Sequence, residues 1–359
     1  MANQDQDIFL SNYYYEIPEE LIAQKPVENR QDSKLFVIDR KTQKFYHKHF
    51  SDIVEYLDPG DCLVINITKV VPSRLFGKKS SGGKVTVLFL DPCQKDAEYK
   101  VLMKPFVDIG KKIYFDDGYE CEIVSRSKFG EVLVKFNRSE ILNFLQVYGI
   151  MPLPPYINRK GPLAQRLSTF DKQRYQTVYA KNIGAIAAPT AGLHFTENIL
   201  KTLKTKGVNI ATLTLHVGWG TFKPIMSTEI NNHVMLPEKF TLDQTNAEII
   251  NSAISNNKKI VAVGTTSVRA LESIAAKIGF QKKDKIFIDK CSGQTSIFIY
   301  PGHKFKIIDT LITNLHLPKS TPLMMTSAFS SRELMLKAYS EAIKEKYRFF
   351  SYGDSMLIL

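Results

Sequence analysis

The stretch 188–224 constrains the fold more than any other. It reads A-P-T-A-G-L-H-F, then an amphipathic run, then T-L-H-V-G-W-G-T-F-K-P. Thr196 suits an N-cap and Gly207 a C-terminal stop, with Ile199, Leu200 and Leu203 at helical spacing between them. Residues 208–217 then read as a strand, because Ile210, Leu213 and Leu215 are interspersed with threonines. Helix followed at once by strand, bounded by glycine-rich loops, is a piece of an α/β sheet. Both loops then fall near one end of that sheet, where α/β proteins bind ligands. His194 and His216 stand at the two ends of the unit, among small turn-forming residues.

The flanking chain extends the pattern. Before the unit come a short helix from Pro18, a hairpin of 35–38 with 44–50, a helix capped by Ser51, and a buried strand at 62–67. A helix at 139–148 leads into the stiff M-P-L-P-P-Y. After the unit come a helix at 243–255, a strand at 259–263 and a helix at 266–277. Strands near Ile286, at 297–300 and at 305–312 precede a final helix at about 331–346. Residues 73–137 change character. Short β-rich runs at 84–90, 98–103, 111–115, 119–124 and 131–136 alternate with turn signals such as Ser80-Ser81-Gly82-Gly83, which predicts a small barrel or sandwich. The expected architecture is an α/β main domain, 1–72 plus 138–359, interrupted by an all-β insert at 73–137.

Composition narrows the partners. Apolar content of 44% and charged content of 23% over 359 residues are those of a globular chain with about two domains. No apolar run approaches the ~18 residues of a membrane span, and the N-terminus M-A-N-Q-D-Q-D is unlike a signal peptide. Cys62, Cys93, Cys121 and Cys291 form no C-x-x-C pair, so free thiols, no metal and a cytoplasmic location are expected.

The net charge of +12 reflects either a lysine-rich background or a polyanionic partner. Residues 155–185 carry Arg159, Lys160, Arg166, Lys172, Arg174 and Lys181 against one acid, Asp171, with Tyr156, Phe170, Tyr175 and Tyr179 interleaved. Cations for phosphates and rings for base stacking suit looped RNA, with a solvated loop as the plainer alternative. The RNA contacts expected there are Arg159, Lys160, Arg174, Tyr175 and Gln176. The β-rich insert has twelve basic and nine acidic residues. That count gives an RNA role little support, and a structural role fits equally.

Several chemistries are excluded by absent motifs. The sequence has no G-x-x-x-x-G-K-[ST], no G-x-G-x-x-G after a strand, no G-x-S-x-G and no H-E-x-x-H. Instead, A-V-G-T-T-S-V-R (262–269) sets Thr265, Thr266 and Ser267 at a helix start, where free N–H groups hold anions. Arg269 is placed to fork onto the same anion, unless Thr266 merely caps and Arg269 is a surface side chain. T-N-L-H-L-P-K-S-T (313–321) puts His316 at a strand end. A lone histidine is commonly a satisfied core group, but three at loop–strand junctions of one domain suggest a shared site.

These segments, with I-F-I-Y-P-G, R-Y-Q-T-V-Y and E-K-Y-R-F-F-S-Y-G-D, closely resemble the S-adenosylmethionine:tRNA ribosyltransferase-isomerase family of queuosine biosynthesis. The resemblance runs from Leu63 to Asp354. It implies an α/β, barrel-like main domain with an inserted small β-barrel. It also implies transfer and isomerisation of the ribosyl group of S-adenosylmethionine onto 7-aminomethyl-7-deazaguanine. That base stands at the wobble position of a tRNA with a G-U-N-type anticodon. Epoxyqueuosine forms, and adenine and methionine leave. S-adenosylmethionine is consumed, so no cofactor is expected, and the enzyme is expected to act as a monomer. A methyltransferase and a non-catalytic RNA-binding protein are the alternatives. The chain departs from the family pattern at Ile67 and Lys69, beside Asn66, and at Trp219 and Leu236.

The chemistry needs groups that exchange protons near pH 7. His194, His216 and His316 are expected to line one pocket, with base and acid roles unassigned. Glu238 or Glu272 is an alternative base. Arg269 and the turn Gly264, Thr265, Thr266, Ser267 would hold the methionine carboxylate, and Gly218 and Gly220 would admit the substrate close to the backbone. Pro189, Thr190, Ala191, Gly192, Thr221, Tyr300 and Asn314 complete the expected substrate contacts.

Overall fold

Along the central strands, alternate side chains enter two different cores. In the strand Cys62–Asn66, Cys62 and Val64 join one cluster and Leu63 and Ile65 the other. Period-2 alternation with both faces apolar is the signature of a sheet covered on both sides. The structure is a computed structural model that describes residues 6–93, 97–127, 130–139, 141–159, 167–222, 224–280 and 287–359.

In chain order, β1 (Lys34–Asp39) and β2 (Lys44–His49) form the expected hairpin. The segment Phe50–Glu55 that follows is a 3-10 helix. The Asp52 carboxylate, not Ser51, takes its N-terminal His49 N–H (3.0 Å). Next come β3 (Cys62–Asn66) and β4 (Thr68–Val70). β5 (Arg74–Lys79), β6 (Lys84–Phe89), β7 (Glu98–Lys104), β8 (Lys112–Tyr114), β9 (Glu120–Arg126) and β10 (Val132–Phe136) close into an antiparallel barrel. The barrel core takes in Ile141, Phe144 and Leu145 around α1 (Leu142–Tyr148).

Then follow α2 (Ser168–Arg174), β11 (Asn182–Ala185), α3 (Glu197–Thr205), β12 (Asn209–Leu215), β13 (Glu238–Leu242) and α4 (Gln244–Ser255). The chain continues through β14 (Ile260–Val263), α5 (Gly264–Lys277), β15 (Cys291–Thr295) and β16 (Thr310–Asn314). It ends with α6 (Thr321–Phe329), α7 (Arg332–Lys344) and β17 (Ser355–Ile358).

The main sheet runs β15-β13-β12-β3-β14-β16-β17-β1-β2, with β4 and β11 pairing separately. Strands β12, β3, β14 and β16 are parallel, so their C-terminal ends share one edge. Helices α4 to α7 cover one face through residues such as Ile250, Leu271, Leu323 and Met335. Helix α3 covers the other with Ile199 and Leu203. Thr196 caps α3 as expected, accepting the Ile199 N–H (3.1 Å), and Gly207 closes it at φ +91°.

The expected strand at 297–300 is absent, and 305–312 contributes only through β16. Ile286 lies outside the described residues. No sequence signal gave β4, β11, β13, β15, β17 or the barrel strand β5. The run Cys-Ser-Gly-Gln-Thr of β15 has little strand propensity and is ordered by pairing with β13. Strand β17 inserts between β16 and β1, antiparallel to the first and parallel to the second. Leu357, fully buried at its centre, therefore carries central-core packing. Leu357→Ala should cost about 2–5 kcal/mol in urea unfolding, against less than about 1 kcal/mol for a frayed terminal strand.

Candidate functional site

A cleft opens at the C-terminal edge of the parallel strands, the place where α/β folds bind ligands. Each wall is the first stretch after a strand. Ala187 to Ala191 follow β11, Val217 follows β12, Gly264 to Thr266 follow β14, and Leu315 to Leu317 follow β16. Tyr156, Phe350 and Ser351 close the far side. Gly264 makes the strand-to-helix turn at φ +83°, a conformation that disfavours a side chain. The first turn of α5 thus points its unpaired N–H groups, with Thr265 and Thr266, toward the cleft. Ser267 is committed elsewhere: its hydroxyl donates to the Val263 carbonyl at 2.7 Å.

The three histidines do not share this cleft. His316 lines it, with Nε2 2.8 Å from the Thr313 hydroxyl. Its backbone is clamped by Tyr339, which accepts the His316 N–H (2.8 Å), and by Tyr15, which donates to the carbonyl. His194 lies one layer behind, buried between Ser33 and Asn314. The Asn314 amide donates to Nε2 (3.1 Å), so Nδ1 carries the proton and donates to Ser33 Oγ (2.8 Å), which in turn donates to the Arg30 carbonyl (3.2 Å). Every polar atom of the ring is used, which makes His194 a structural core histidine. His216 sits apart beneath the β4–β11 ribbon, bonded to Thr68 (2.8 Å) with its ring against Gly184.

Burial pushes both His194 and His316 down to about 3, with Arg30 and Arg348 adding to the effect on His194. Burial lowers His216 as well. His194 and His316 are therefore neutral at pH 7. Neither offers the imidazolium that a general acid requires, contrary to the expectation that one histidine protonates the leaving group.

Arg269 and Glu238 are paired with one another. Their ion pair is buried, Glu238 also accepts the Gly218 N–H (2.8 Å), and Arg269 donates to the Ile297 carbonyl (3.3 Å). Neither a free base nor a free carboxylate fork results, although Arg269 does line a second cavity that shares Thr265 and Thr266 with the cleft. Glu272 is likewise structural. Its carboxylate accepts the N–H groups of Lys306 (2.9 Å) and Ile307 (3.1 Å) and holds that loop.

Thr190, Pro189 and Ala191 line the cleft as expected, and Thr190 donates to Asn314 Oδ1 (3.0 Å). Gly192 lies outside it, pressed on Tyr179, where an added Cβ would meet the ring hydroxyl at 2.0 Å. Gly218 contributes a backbone bond to Glu238, and Gly220 packs on Leu236. Tyr300 packs beside Phe298 with ring centroids 5.1 Å apart. The Thr221 side chain lies outside the described residues. Thr313, Tyr156, Phe350 and Ser351 were not expected in the site. Their signal was present, since each belongs to one of the motif blocks that carry the resemblance.

The expected RNA rim turns inward. Arg159 forms a two-pronged ion pair with Asp171 (2.8 and 3.1 Å), only 6% and 2% exposed. Arg174 donates to the Glu28 carbonyl (2.8 Å), and Tyr175 is fully buried. Gln176 bonds both ways to the Val70 backbone (2.7 and 3.0 Å). Arg159 and Arg174 thus pin the segment to the body. Lys160 and Arg166 lie outside the described residues. Among the described residues no His, Cys, Asp and Glu group is arranged to hold a metal ion, and no helix is long and apolar enough to cross a membrane.

Two outcomes follow from these bonds. Arg159→Ala leaves Asp171 buried and unpaired, so it should lower unfolding stability by about 3–5 kcal/mol in a chemical melt. A peripheral RNA-contacting arginine would cost almost nothing. The depressed histidines make folding pH-dependent with a definite sign. The unfolded chain takes up protons below about 6.5 and the folded chain only near 3. Their stabilising contribution is whole above pH 6.5 and falls as pH drops, by about 1.4 kcal/mol per unit for each histidine. His194→Gln should flatten the stability profile between pH 6 and 4 relative to the parent.

Comparison with known proteins matches this arrangement. Residues 10–358 match the family described as queuosine biosynthesis protein. The chain is 47% identical over 352 residues to a protein of Clostridioides difficile strain 630, covering 97% of this chain and 98% of the relative. It is 46% identical to one from Caldanaerobacter subterraneus subsp. tengcongensis, covering 97% and 99%. Both relatives are named S-adenosylmethionine:tRNA ribosyltransferase-isomerase. The crystal structure of S-adenosylmethionine tRNA ribosyltransferase from Thermotoga maritima aligns over 97% of this chain and all of that one, with TM-score 0.54 and 34% identity.

Proposed function

The chain belongs to the queuosine biosynthesis protein family and is an enzyme of the ribosyltransferase-isomerase kind, and on that premise we propose a specific reaction for the cleft. S-adenosylmethionine is the consumed cosubstrate and no cofactor takes part. Its ribosyl group passes to 7-aminomethyl-7-deazaguanine at the wobble position of a tRNA with a G-U-N-type anticodon, is isomerised to the epoxycyclopentanediol, and adenine and methionine depart. The observation that carries this reading is the convergence, in one cleft, of the A-P-T-A, G-T-T and T-N-L-H-L blocks, each at the end of a parallel strand.

In this reading the free N–H groups heading α5, with Thr265 and Thr266, take the methionine carboxylate, since Arg269 is already engaged by Glu238. His316, the one of the three histidines that lines the cleft, is oriented there by Thr313 and accepts the proton from the carbon beside the sulfonium. Thr190, whose hydroxyl proton is held by Asn314, presents its hydroxyl oxygen to the sugar. His194 and His216 act on structure and not on the reacting atoms.

The products decide the reaction. Incubation with S-adenosylmethionine and an anticodon stem-loop bearing the aminomethyl base should release adenine and methionine in equal amounts. S-adenosylhomocysteine would indicate methyl transfer, and no product would indicate binding alone. His316→Ala should slow adenine release by about 10²–10⁴-fold. His216→Ala should leave it within about threefold of the parent. Equal losses in the two variants would remove His316 from the proton transfer.

A further inference from the structure

The barrel has a near-balanced charge, but its strands divide that charge unevenly. Strands β5, β6 and β7 carry Arg74, Lys78, Lys79, Lys84, Lys100 and Lys104 against a single acid, Glu98, which lies across from Lys135 of β10. Strand register then arranges the outward side chains in three rungs. The first, Arg74–Leu88–Leu102, lines an inter-domain cavity of about 670 Å³ together with Trp219 and the Pro152–Pro155 wall. The second is Phe76–Thr86–Lys104. The third is Tyr114–Lys78–Lys84. Successive rungs are two residues apart along each strand, roughly 7 Å.

Two aromatic rings stand out on this face, Phe76 at 50% and Tyr114 at 43% exposure. An exposed large ring is the informative departure from ordinary burial; here Tyr114 lies across from Lys78, and Phe76 lies across from Thr86 with Lys104 next in the rung. Alternating cations and rings on a sheet face, graded into a cavity, is the arrangement that tracks a phosphate backbone and stacks unpaired bases.

We propose that the outward face of β5–β6–β7, extended by Tyr114 of β8, is the surface on which the RNA substrate docks, its unpaired loop laid along the rungs toward the inter-domain cavity. This rests on the reading of the substrate as a tRNA. It stands in place of the basic stretch at 155–185, where Arg159 and Arg174 are bonded within the protein. Of the acids near Tyr114, Glu120 opposite it is bonded to Lys112 at 2.6 Å, Glu122 is opposite Lys112, and Asp116 and Asp117 stand in the turn after β8. The side chains of the rungs lie outside the barrel core of Val85, Val87, Val101 and Ile113, so substitution there spares the fold.

The test uses the full-length protein and a fluorescent, unmodified anticodon-arm hairpin, with anisotropy read across a salt series. Lys78→Glu with Lys84→Glu should weaken binding at least tenfold and reduce the salt slope. Phe76→Ala with Tyr114→Ala should weaken it about tenfold with the salt slope unchanged. Lys135→Glu, on β10 beside Glu98 and outside the three rungs, should stay within twofold of the parent. In turnover assays both double variants should raise KM for the RNA and leave kcat intact. Circular dichroism and melting temperature should match the parent. Parental affinity in both double variants, an equal loss in Lys135→Glu, or no hairpin binding by the parent would each overturn the proposal. A parent that binds the hairpin but releases no adenine would instead overturn the reading of the reaction and leave this surface standing.

Discussion

Two buried amides hold the edge of the sheet on which the cleft depends. Strands end at this edge, so their last backbone groups lose their ladder partners, and burial makes each unpaired group costly. At the end of β3, Asn66 accepts the N–H groups of Thr68 and Leu215 (3.1 Å each). It donates to the Leu215 carbonyl (2.9 Å) and the Thr266 hydroxyl (3.2 Å). At the end of β16, Asn314 accepts from Thr190 and donates to His194 and the Phe350 carbonyl. One side chain therefore ties β3 to β12 and to the head of α5. The other ties the 190–194 turn to β16 and the C-terminal loop. The cleft lies between these two anchors.

The same logic explains why charge is spent inside the protein. Arg269 with Glu238, Arg159 with Asp171, and Glu272 with the 306–307 backbone each cross-link segments far apart in the chain. Buried ion pairs are poor sources of net stability but costly to break, which makes them effective at fixing register between loops. The long connections after β12 and β15 are held in this way, through Gly218 on Glu238 and Ile297 on Arg269. What remains for ligand is mostly neutral: hydroxyls, an imidazole held uncharged by burial, and the N–H groups of a helix start. Such a lining suits a cationic sulfonium cosubstrate better than a cleft with a free guanidinium would.

Much of this was legible without coordinates, and the legible part has a physical basis. Local rules gave the α3 cap at Thr196 and its stop at Gly207, the α4 and α5 boundaries, and five of the barrel strands, because caps, turn residues and periodicity act within a few residues. Strands β13, β15 and β17 escaped because their order comes from neighbours. Residues of β15 are polar and adopt strand geometry only by pairing with β13. The motif blocks located the cleft residues Thr190, Thr266, Asn314 and His316, since loops after parallel strands converge by topology.

Residue type and spacing by themselves determined the α/β body and the position of the inserted barrel strands, and the motif blocks carried the resemblance to the family. Only the tertiary structure decided which polar groups are spent and which are free. Three histidines look alike in a sequence, yet one faces the cleft, one is saturated by Ser33 and Asn314, and one lies under the β4–β11 ribbon. Arg159 and Tyr175 belong to a stretch with the composition of an RNA surface, yet they have the contacts of a core. A side chain's availability depends on what lies across from it, and partners far apart in sequence are chosen by packing, which no local pattern encodes.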